Sequence, residues 1–428
     1  MAMPWIEDDL PAALACGKQR KQPVVIDLWA PWCHTCLSMQ STVFIDPSFK
    51  ADADRFVFAA LDTDKEVNAG AVARYAPTAW PTHYVVGNDA ATGDSEAVLA
   101  RFSGAASIAQ FHTFLDAGLK AQQGGAAGAD AKLLGAERLL AQKNYSNASN
   151  ELQAALDQAP ADWPRRAEVL TAQISARAKG NDYLGCLALG DARMNDTGNT
   201  AAATDFVVVA LDCAELAAKA GSALPQVKRV REHAVTRLTK LLADKTAPLS
   251  IDDRSDAMAT LREALDAVGK HPEAVATAQA QRALLDDAAA KAPTPMAAMT
   301  YNWQRCDVYA YLGKPLELVA ALEQSAKDLP EEYDPRARLG WLYLKADKLP
   351  EAATWTDAAL RMVYGPRKAR LLAQRAEIAA KQHDAAAEKK YRGDIVALWQ
   401  SLPPGQANPE SLEKAKQDLA ALAPAETH

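Results

Sequence analysis

Two cysteines separated by two residues, Cys33 and Cys36, restrict the possible folds of the N-terminal region more than any other feature. The preceding segment QPVVIDLW (22–29) predicts a buried strand, and the run that starts at Cys33 predicts a helix. Cys33 would then lie at a helix N-terminus, where free N–H groups and the helix dipole stabilise a thiolate. Because the second sulfur can reach the first within one turn, the pattern predicts a nucleophile, Cys33, and a resolving cysteine, Cys36.

Further strand-like segments follow at intervals. FVFAALD (56–62) and THYVVG (82–87) are rich in β-branched and aromatic residues, and EAVLARFS (96–103) is a third such segment. SIAQFHTFLDAGLKA (107–121) has the apolar spacing of a helix. Strands that alternate with helices and end in a hairpin predict one small α/β domain.

A chain of 428 residues is too long for one ordinary core, so two or more domains are expected. The segment QQGGAAGADA has little to pack and predicts a flexible linker at 122–131. We therefore predict an α/β domain at 1–121 and a second, α-helical domain at 132–428, rich in Ala and Leu.

Internal repetition characterises this second region. KNYSNASNELQAALDQAP (143–160) and DKLPEAATWTDAALRMVYGP (347–366) share one spacing of small and apolar residues, and Gly313 precedes Asp347 by 34 residues. These segments resemble tetratricopeptide repeats, in which small residues let paired helices approach closely. An all-α repeat array that binds a protein partner is expected, with an irregular helical bundle as the alternative.

The segments VVIDLWAPWCHTC (24–36) and WPT (80–82) resemble the thioredoxin family. Its members have a buried aspartate six residues before the first cysteine, a tryptophan directly before it, and a cis-proline some 45 residues after it. Asp27, Trp32 and Pro81 occupy these positions. The resemblance covers about 115 residues and implies a thioredoxin fold, a central mixed sheet flanked by helices. It is strongest to the C-terminal domain of the bacterial periplasmic thiol–disulfide reductant conductor.

The resemblance implies a role for each matching residue. Asp27, buried beneath the helix, would accept the proton of Cys36 as that thiol attacks. Trp32 would flank the nucleophile and exclude water.

The segment that carries the cis-proline would bind substrate. A cis bond between Trp80 and Pro81 would present the adjacent backbone, with Thr82, to a substrate peptide.

His34 lies between the cysteines and is expected to stabilise the thiolate of the reduced form. The reduction potential would then exceed that of thioredoxin, about −270 mV, and lie between roughly −250 and −150 mV.

The sequence departs from the thioredoxin pattern at two positions. Ala60 stands where thioredoxins carry a lysine beside the buried acid, so the charge of Asp27 is expected to be less compensated. Ser41 replaces the proline that kinks the active-site helix.

Several other classes of function are disfavoured. The net charge is −7, without the basic surplus that nucleic-acid binding requires, and no apolar run predicts a membrane span. Zinc is the main alternative for the CxxC, but no second CxxC or HxxxH pair supplies further ligands, so neither metal nor cofactor is expected. Two rival functions are a redox-inactive interaction scaffold and a peroxide-reducing enzyme.

The expected activity is exchange of disulfides with protein substrates, supported by an upstream dithiol electron donor or acceptor. The direction of exchange, reductase or isomerase, is open. The other four cysteines are scattered and do not predict a disulfide framework, which with the absence of a leader favours the cytoplasm. Cys16 is expected on a helix, and Cys186, Cys213 and Cys306 are expected to pack in the helical core. The family resemblance favours the periplasm, so the compartment is also open.

Overall fold

The structure is a computed structural model that describes residues 3–89, 93–222 and 224–422. The chain divides into two compact units. The first comprises residues 1–61 and 75–287, and the second comprises residues 62–74 and 288–428.

Five strands and four helices form the N-terminal part of the chain. In order they are β1 (Trp5–Glu7), α1 (Leu10–Arg20), β2 (Val24–Trp29), α2 (His34–Thr42), β3 (Val57–Asp62), α3 (Ala69–Tyr75), β4 (Thr82–Gly87), β5 (Ala97–Ser103) and α4 (Ile108–Gln122).

The strands form one mixed sheet in the order β1-β3-β2-β4-β5. Strand β1 runs parallel to β3, whereas β4 runs antiparallel to both β2 and β5. Strand β2 lies in the middle, and its first five residues are buried, as its apolar sequence predicts. The register places Asp27 of β2 opposite His83 of β4. This confirms the predicted α/β fold with a central mixed sheet.

Aromatic side chains dominate the core on one side of this sheet. Phe44, Phe49, Phe58, Phe111 and Phe114 are each at most 2% exposed and belong to one cluster. Phe111 contacts both Phe44 and Phe49, with ring centroids 5.3 and 5.6 Å apart. Helix α4 begins with a capping box at Ser107. Through Phe111 and Phe114 it packs against the sheet.

The first unit continues with helices that pack as successive hairpins. They are α5 (Ala129–Ala141), α6 (Tyr145–Gln158), α7 (Arg166–Lys179), α8 (Tyr183–Arg193), α9 (Ala201–Lys219), α10 (Leu224–Ala243), α11 (Ile251–Ala267) and α12 (His271–Lys291). The turn between α5 and α6 holds Lys143 at φ 58°, and the Asn144 N–H donates to the Leu139 carbonyl. This bond satisfies a carbonyl that the end of α5 would otherwise leave free.

The helices of the second unit are α13 (Pro295–Met299), α14 (Asn302–Tyr311), α15 (Val319–Asp328), α16 (Asp334–Lys345), α17 (Leu349–Leu360), α18 (Lys368–Lys381), α19 (Ala385–Ser401) and α20 (Pro409–Ala420). Their turns hold Gly313, Asp347 and His383, all at positive φ, at intervals of 34 and 36 residues. Gly340 lets α16 approach α17 closely, since a Cβ there would lie 2.5 Å from Thr356 Oγ1. The predicted all-α region of repeated helix pairs is confirmed.

The second unit also includes residues 62–74. Gln406 donates from Nε2 to the carbonyl oxygens of Thr63 and Lys65, at 2.8 and 3.0 Å. The domain limits drawn from the sequence stay a prediction; in the structure, α5 begins at Ala129, inside the segment proposed as a linker. No helix among the described residues is long and apolar enough to cross a bilayer.

Candidate active site

Cys33 and Cys36 form a disulfide at the start of α2. Cys33 is the N-cap residue, with extended backbone angles, and its Sγ accepts a hydrogen bond from the Cys36 backbone N–H at 3.1 Å. Both cysteines are at most 5% exposed. The free N–H groups of the first helical turn therefore point towards Cys33, which is the environment that stabilises a thiolate.

Two tryptophans pack beside the cysteine pair. Trp32 and Trp80 contact each other with ring centroids 5.5 Å apart, and both pack against the cluster of Ala30, Cys33 and Cys36. These rings shield the sulfur atoms from water.

The peptide bond between Trp80 and Pro81 is cis. The Pro81 carbonyl accepts a hydrogen bond from the Gly104 N–H at 2.9 Å. Thr82 is fully buried, and its hydroxyl donates to the Ala79 carbonyl at 2.6 Å. The structure thus brings Trp32, Trp80 and Pro81 to the cysteine pair, while the Thr82 side chain holds the loop instead of facing outward. Their roles in binding stay predictions.

A buried histidine, His83, lies beside Asp27. The Nδ1 atom of His83 lies 3.3 Å from Oδ1 of Asp27, and these side chains are 0% and 3% exposed. The His83 ring also packs edge-on against Phe44 and Phe111. The adjacent strand β4 therefore places an imidazole beside the acid, whereas the charge compensation expected to be weak at Ala60 stays a prediction. This partner follows from strand register, which the sequence does not show.

His34, between the cysteines, contacts acidic residues of α11. Its Nδ1 lies 3.1 Å from both carboxylate oxygens of Asp252 and 4.0 Å from Oδ2 of Asp256. Nearby, Ser38 of α2 donates to Ser250 at 3.3 Å. Sequence reasoning missed this contact because the partners are 218 residues apart. The capping sequence SIDD (250–253) predicts a helix start but gives no sign of a partner.

Three side chains that could ligate a metal lie close together beside the redox pair. Among the ranges that the structure describes, one group of three His, Cys, Asp or Glu side chains has ligand atoms within 4.8 Å of one another: His34, Asp252 and Asp256. Neither Cys33 nor Cys36 belongs to this group, and the two are bonded to each other.

A cavity of about 230 Å³ is lined by Thr35 and Trp80, which flank the Cys33–Cys36 disulfide. Gly104, directly after β5, lines it too, and α7, α9 and α11 form further walls. Charged residues of both signs line it as well. Among them are Arg101, which donates to the Tyr84, Thr78 and Ser103 hydroxyls, and Asp205.

The carboxyl group of Asp205 is poorly suited to ionisation. Burial, together with the nearby Asp256 and Asp253, raises the pKa of Asp205 to about 7. The cavity wall on α9 therefore changes charge near neutral pH.

The prediction that the other cysteines only pack in the core is wrong for two of them. Cys186 of α8 and Cys213 of α9 form a second disulfide, and both are fully buried. Cys16 and Cys306 are free, and burial raises the pKa of the Cys306 thiol. A separation of 27 residues gave no sign of pairing, because the pairing depends on how α8 packs against α9. Two of the four cysteines from which a reducing compartment was expected are therefore oxidised in the structure.

Residues 5–86 match the model of a family described as thioredoxin-like. This match and the sheet confirm the resemblance, and the N-terminal part of the chain is a thioredoxin-like domain with a CxxC pair, Cys33 and Cys36, at disulfide distance. Over 58 residues the chain is 34% identical to the thiol:disulfide interchange protein DsbD of two Vibrio vulnificus strains, CMCP6 and YJ016. That segment is 14% of this chain and 10% of each relative, so the chain spans about a tenth of the curated relatives it matches.

Solved helical proteins overlap with the chain more broadly. A tetratricopeptide repeat protein from Parabacteroides merdae covers 69% of this chain and 98% of its own, with 12% identity and a TM-score of 0.43. The APC/C hetero-tetramer Cut9-Hcn1 covers 70% of this chain and 54% of its own, with 13% identity and a TM-score of 0.30. The binding partners of these two solved proteins are properties of those proteins and not of this chain.

Proposed function

We propose that the protein is a thiol–disulfide oxidoreductase that exchanges disulfides with protein substrates through Cys33 and Cys36. One observation carries this proposal: Cys33 caps α2, is bonded to Cys36 and packs beside the cis Trp80–Pro81 segment. A thiolate at a helix N-terminus is a reactive nucleophile, and a neighbouring thiol one turn away can release its product.

In the reductive direction, the Cys33 thiolate attacks one sulfur of a substrate disulfide. The substrate disulfide breaks, a mixed disulfide with Cys33 forms, and the other substrate sulfur leaves as a thiolate that takes up a proton. Cys36 then loses its proton, which Asp27 accepts in this proposal, and attacks the Cys33 sulfur. The substrate leaves as a dithiol, and an upstream dithiol donor returns the oxidised pair to the reduced state.

The proposed role of the helical region is to recruit a partner or substrate. Helices α7, α9 and α11 wall the cavity beside Thr35 and Trp80, so a substrate that reaches Cys33 from the cavity meets these helices as well. Extended surfaces of stacked helices are suited to holding a peptide segment.

Catalysed reduction of insulin by dithiothreitol tests the proposal. We expect the full chain to accelerate insulin precipitation and the Cys33→Ser variant to leave the uncatalysed rate unchanged, since the variant lacks the nucleophile. Reactivation of scrambled ribonuclease, run in parallel, distinguishes an isomerase from a reductase.

The matched control is Cys16→Ser, which removes a free thiol outside the redox pair. If the folded wild-type protein accelerates neither reaction, the proposal fails and a scaffold role replaces it.

A further inference from the structure

We propose that Asp252 of α11 is a positioning residue of the redox site, which holds the His34 imidazole as a cation and thereby raises the reduction potential of Cys33–Cys36. A helix outside the thioredoxin-like domain would then take part in setting the chemistry of that domain. This inference rests on the proposed function and deepens it.

The contact between Asp252 and His34 is close and shielded from water. Both carboxylate oxygens lie 3.1 Å from His34 Nδ1, and the side chains of Asp252 and His34 are 1% and 23% exposed. An ion pair with one buried partner is screened less than a surface pair. Because both oxygens lie at the same distance from Nδ1, the geometry is that of an N–H group that donates to the carboxylate.

Asp252 lies at the N-terminus of α11. Helix α11 begins at Ile251, so Asp252 lies in its first turn, and Ser250 forms a capping box with Asp253. Free N–H groups and the helix dipole stabilise a negative charge at this position. The carboxyl group of Asp252 therefore faces the His34 imidazole from a helix N-terminus.

Other polar and titratable groups also surround His34. Asp256 of α11 lies 4.0 Å from Nδ1 and is 35% exposed, and Asp253 interacts with His34 only through its charge. The negative charges of Asp253 and Asp256 also raise the pKa of Asp205 of α9. On α2 itself, Thr35 Oγ1 lies 3.5 Å from the same nitrogen. Asp252 makes the shortest of these contacts.

The effect on the redox pair follows from the position of His34. This residue directly follows Cys33, at the first position of α2. A cationic imidazole there favours the thiolate and hence the reduced form, which raises the reduction potential. Without a carboxylate partner, an imidazole with its ordinary pKa near 6.5 would be mostly neutral above pH 7.

Reduction potentials measured in glutathione buffers at pH 7.5 test the inference. We expect Asp252→Asn to change the equilibrium constant with glutathione about threefold towards a more reducing protein, equivalent to about 14 mV. Asp252→Glu keeps the charge and should restore most of the wild-type value. Glu215→Gln, an exposed site on α9, removes one negative charge elsewhere and should have no effect.

The decisive comparison uses His34→Gln, which retains a hydrogen-bond donor but carries no charge. In this background Asp252 is only a negative charge near the thiolate, so Asp252→Asn should leave the potential unchanged or raise it. A merely structural role predicts the same decrease in both backgrounds, and that result would overturn the inference. An Asp252→Asn potential equal to wild type would overturn it too.

Failure of the inference and failure of the proposed function give different results. If the wild-type pair never titrates, the proposed function fails; if it titrates and Asp252→Asn behaves as wild type, only this inference fails. Should Asp252→Asn not fold, Asp252→Ser repeats the test, because serine keeps an oxygen near the helix N-terminus.

Discussion

Replacing Cys33 with serine is expected to reduce the rate of disulfide exchange by about a thousandfold or more, to the uncatalysed rate. The hydroxyl of serine is not ionised near neutral pH, and neither the N-terminus of α2 nor His34 can convert it into a comparable nucleophile. The fold should persist, because the substitution keeps the N-cap position of α2 and serine is a favourable N-cap residue.

Replacing Cys36 with serine should have a different effect. Cys33 can still attack, but the mixed disulfide has no neighbouring thiol to resolve it, so the substrate stays attached to Cys33. Mass spectrometry after incubation with a disulfide-containing peptide should show the peptide attached at Cys33 in this variant and no peptide attached at Cys36 in Cys33→Ser. Accumulation of the adduct on Cys36 in Cys33→Ser would contradict the assigned roles.

Removing the disulfide between Cys186 and Cys213 should destabilise the helices that it joins. In the chain-entropy model, a cross-link across 27 residues stabilises the folded state by about 3–4 kcal/mol. We expect the double variant Cys186→Ala, Cys213→Ala to show a free energy of opening lower by about this amount in peptides from α8 and α9, measured by hydrogen exchange.

Cys306→Ala is a matched control for this experiment. Cys306 is also fully buried, but it is free, so its substitution removes the sulfur atom of one buried cysteine without removing a cross-link. If exchange in α8 and α9 is no faster in the double variant than in this control, the disulfide contributes no stability.

Local sequence predicts the parts of this structure that depend on neighbouring residues. The strand at 24–29 and the helix that begins after Cys33 follow from apolar pattern and capping, and the helical turns at Gly313 and Asp347 follow from repeat spacing. These features need no knowledge of distant residues.

The contacts that sequence reasoning missed all join distant segments. The proximity of Asp27 to His83 depends on strand register, and that of His34 to Asp252 depends on how α11 packs against α2. A single sequence contains no record of either arrangement. The contact of His34 with Asp252 brings an acidic side chain next to the Cys33–Cys36 pair, so the chemistry of the site was less predictable than its fold.

Equilibrating the purified protein in glutathione buffers of graded potential tests the central claim most directly. Rapid alkylation followed by mass spectrometry reports the state of Cys33 and Cys36 separately from that of the buried Cys186 and Cys213. We expect a reversible two-electron transition of the first pair between about −250 and −150 mV. A pair that stays in one state across the whole range would contradict the account, and a potential below about −270 mV would contradict the effect assigned to His34.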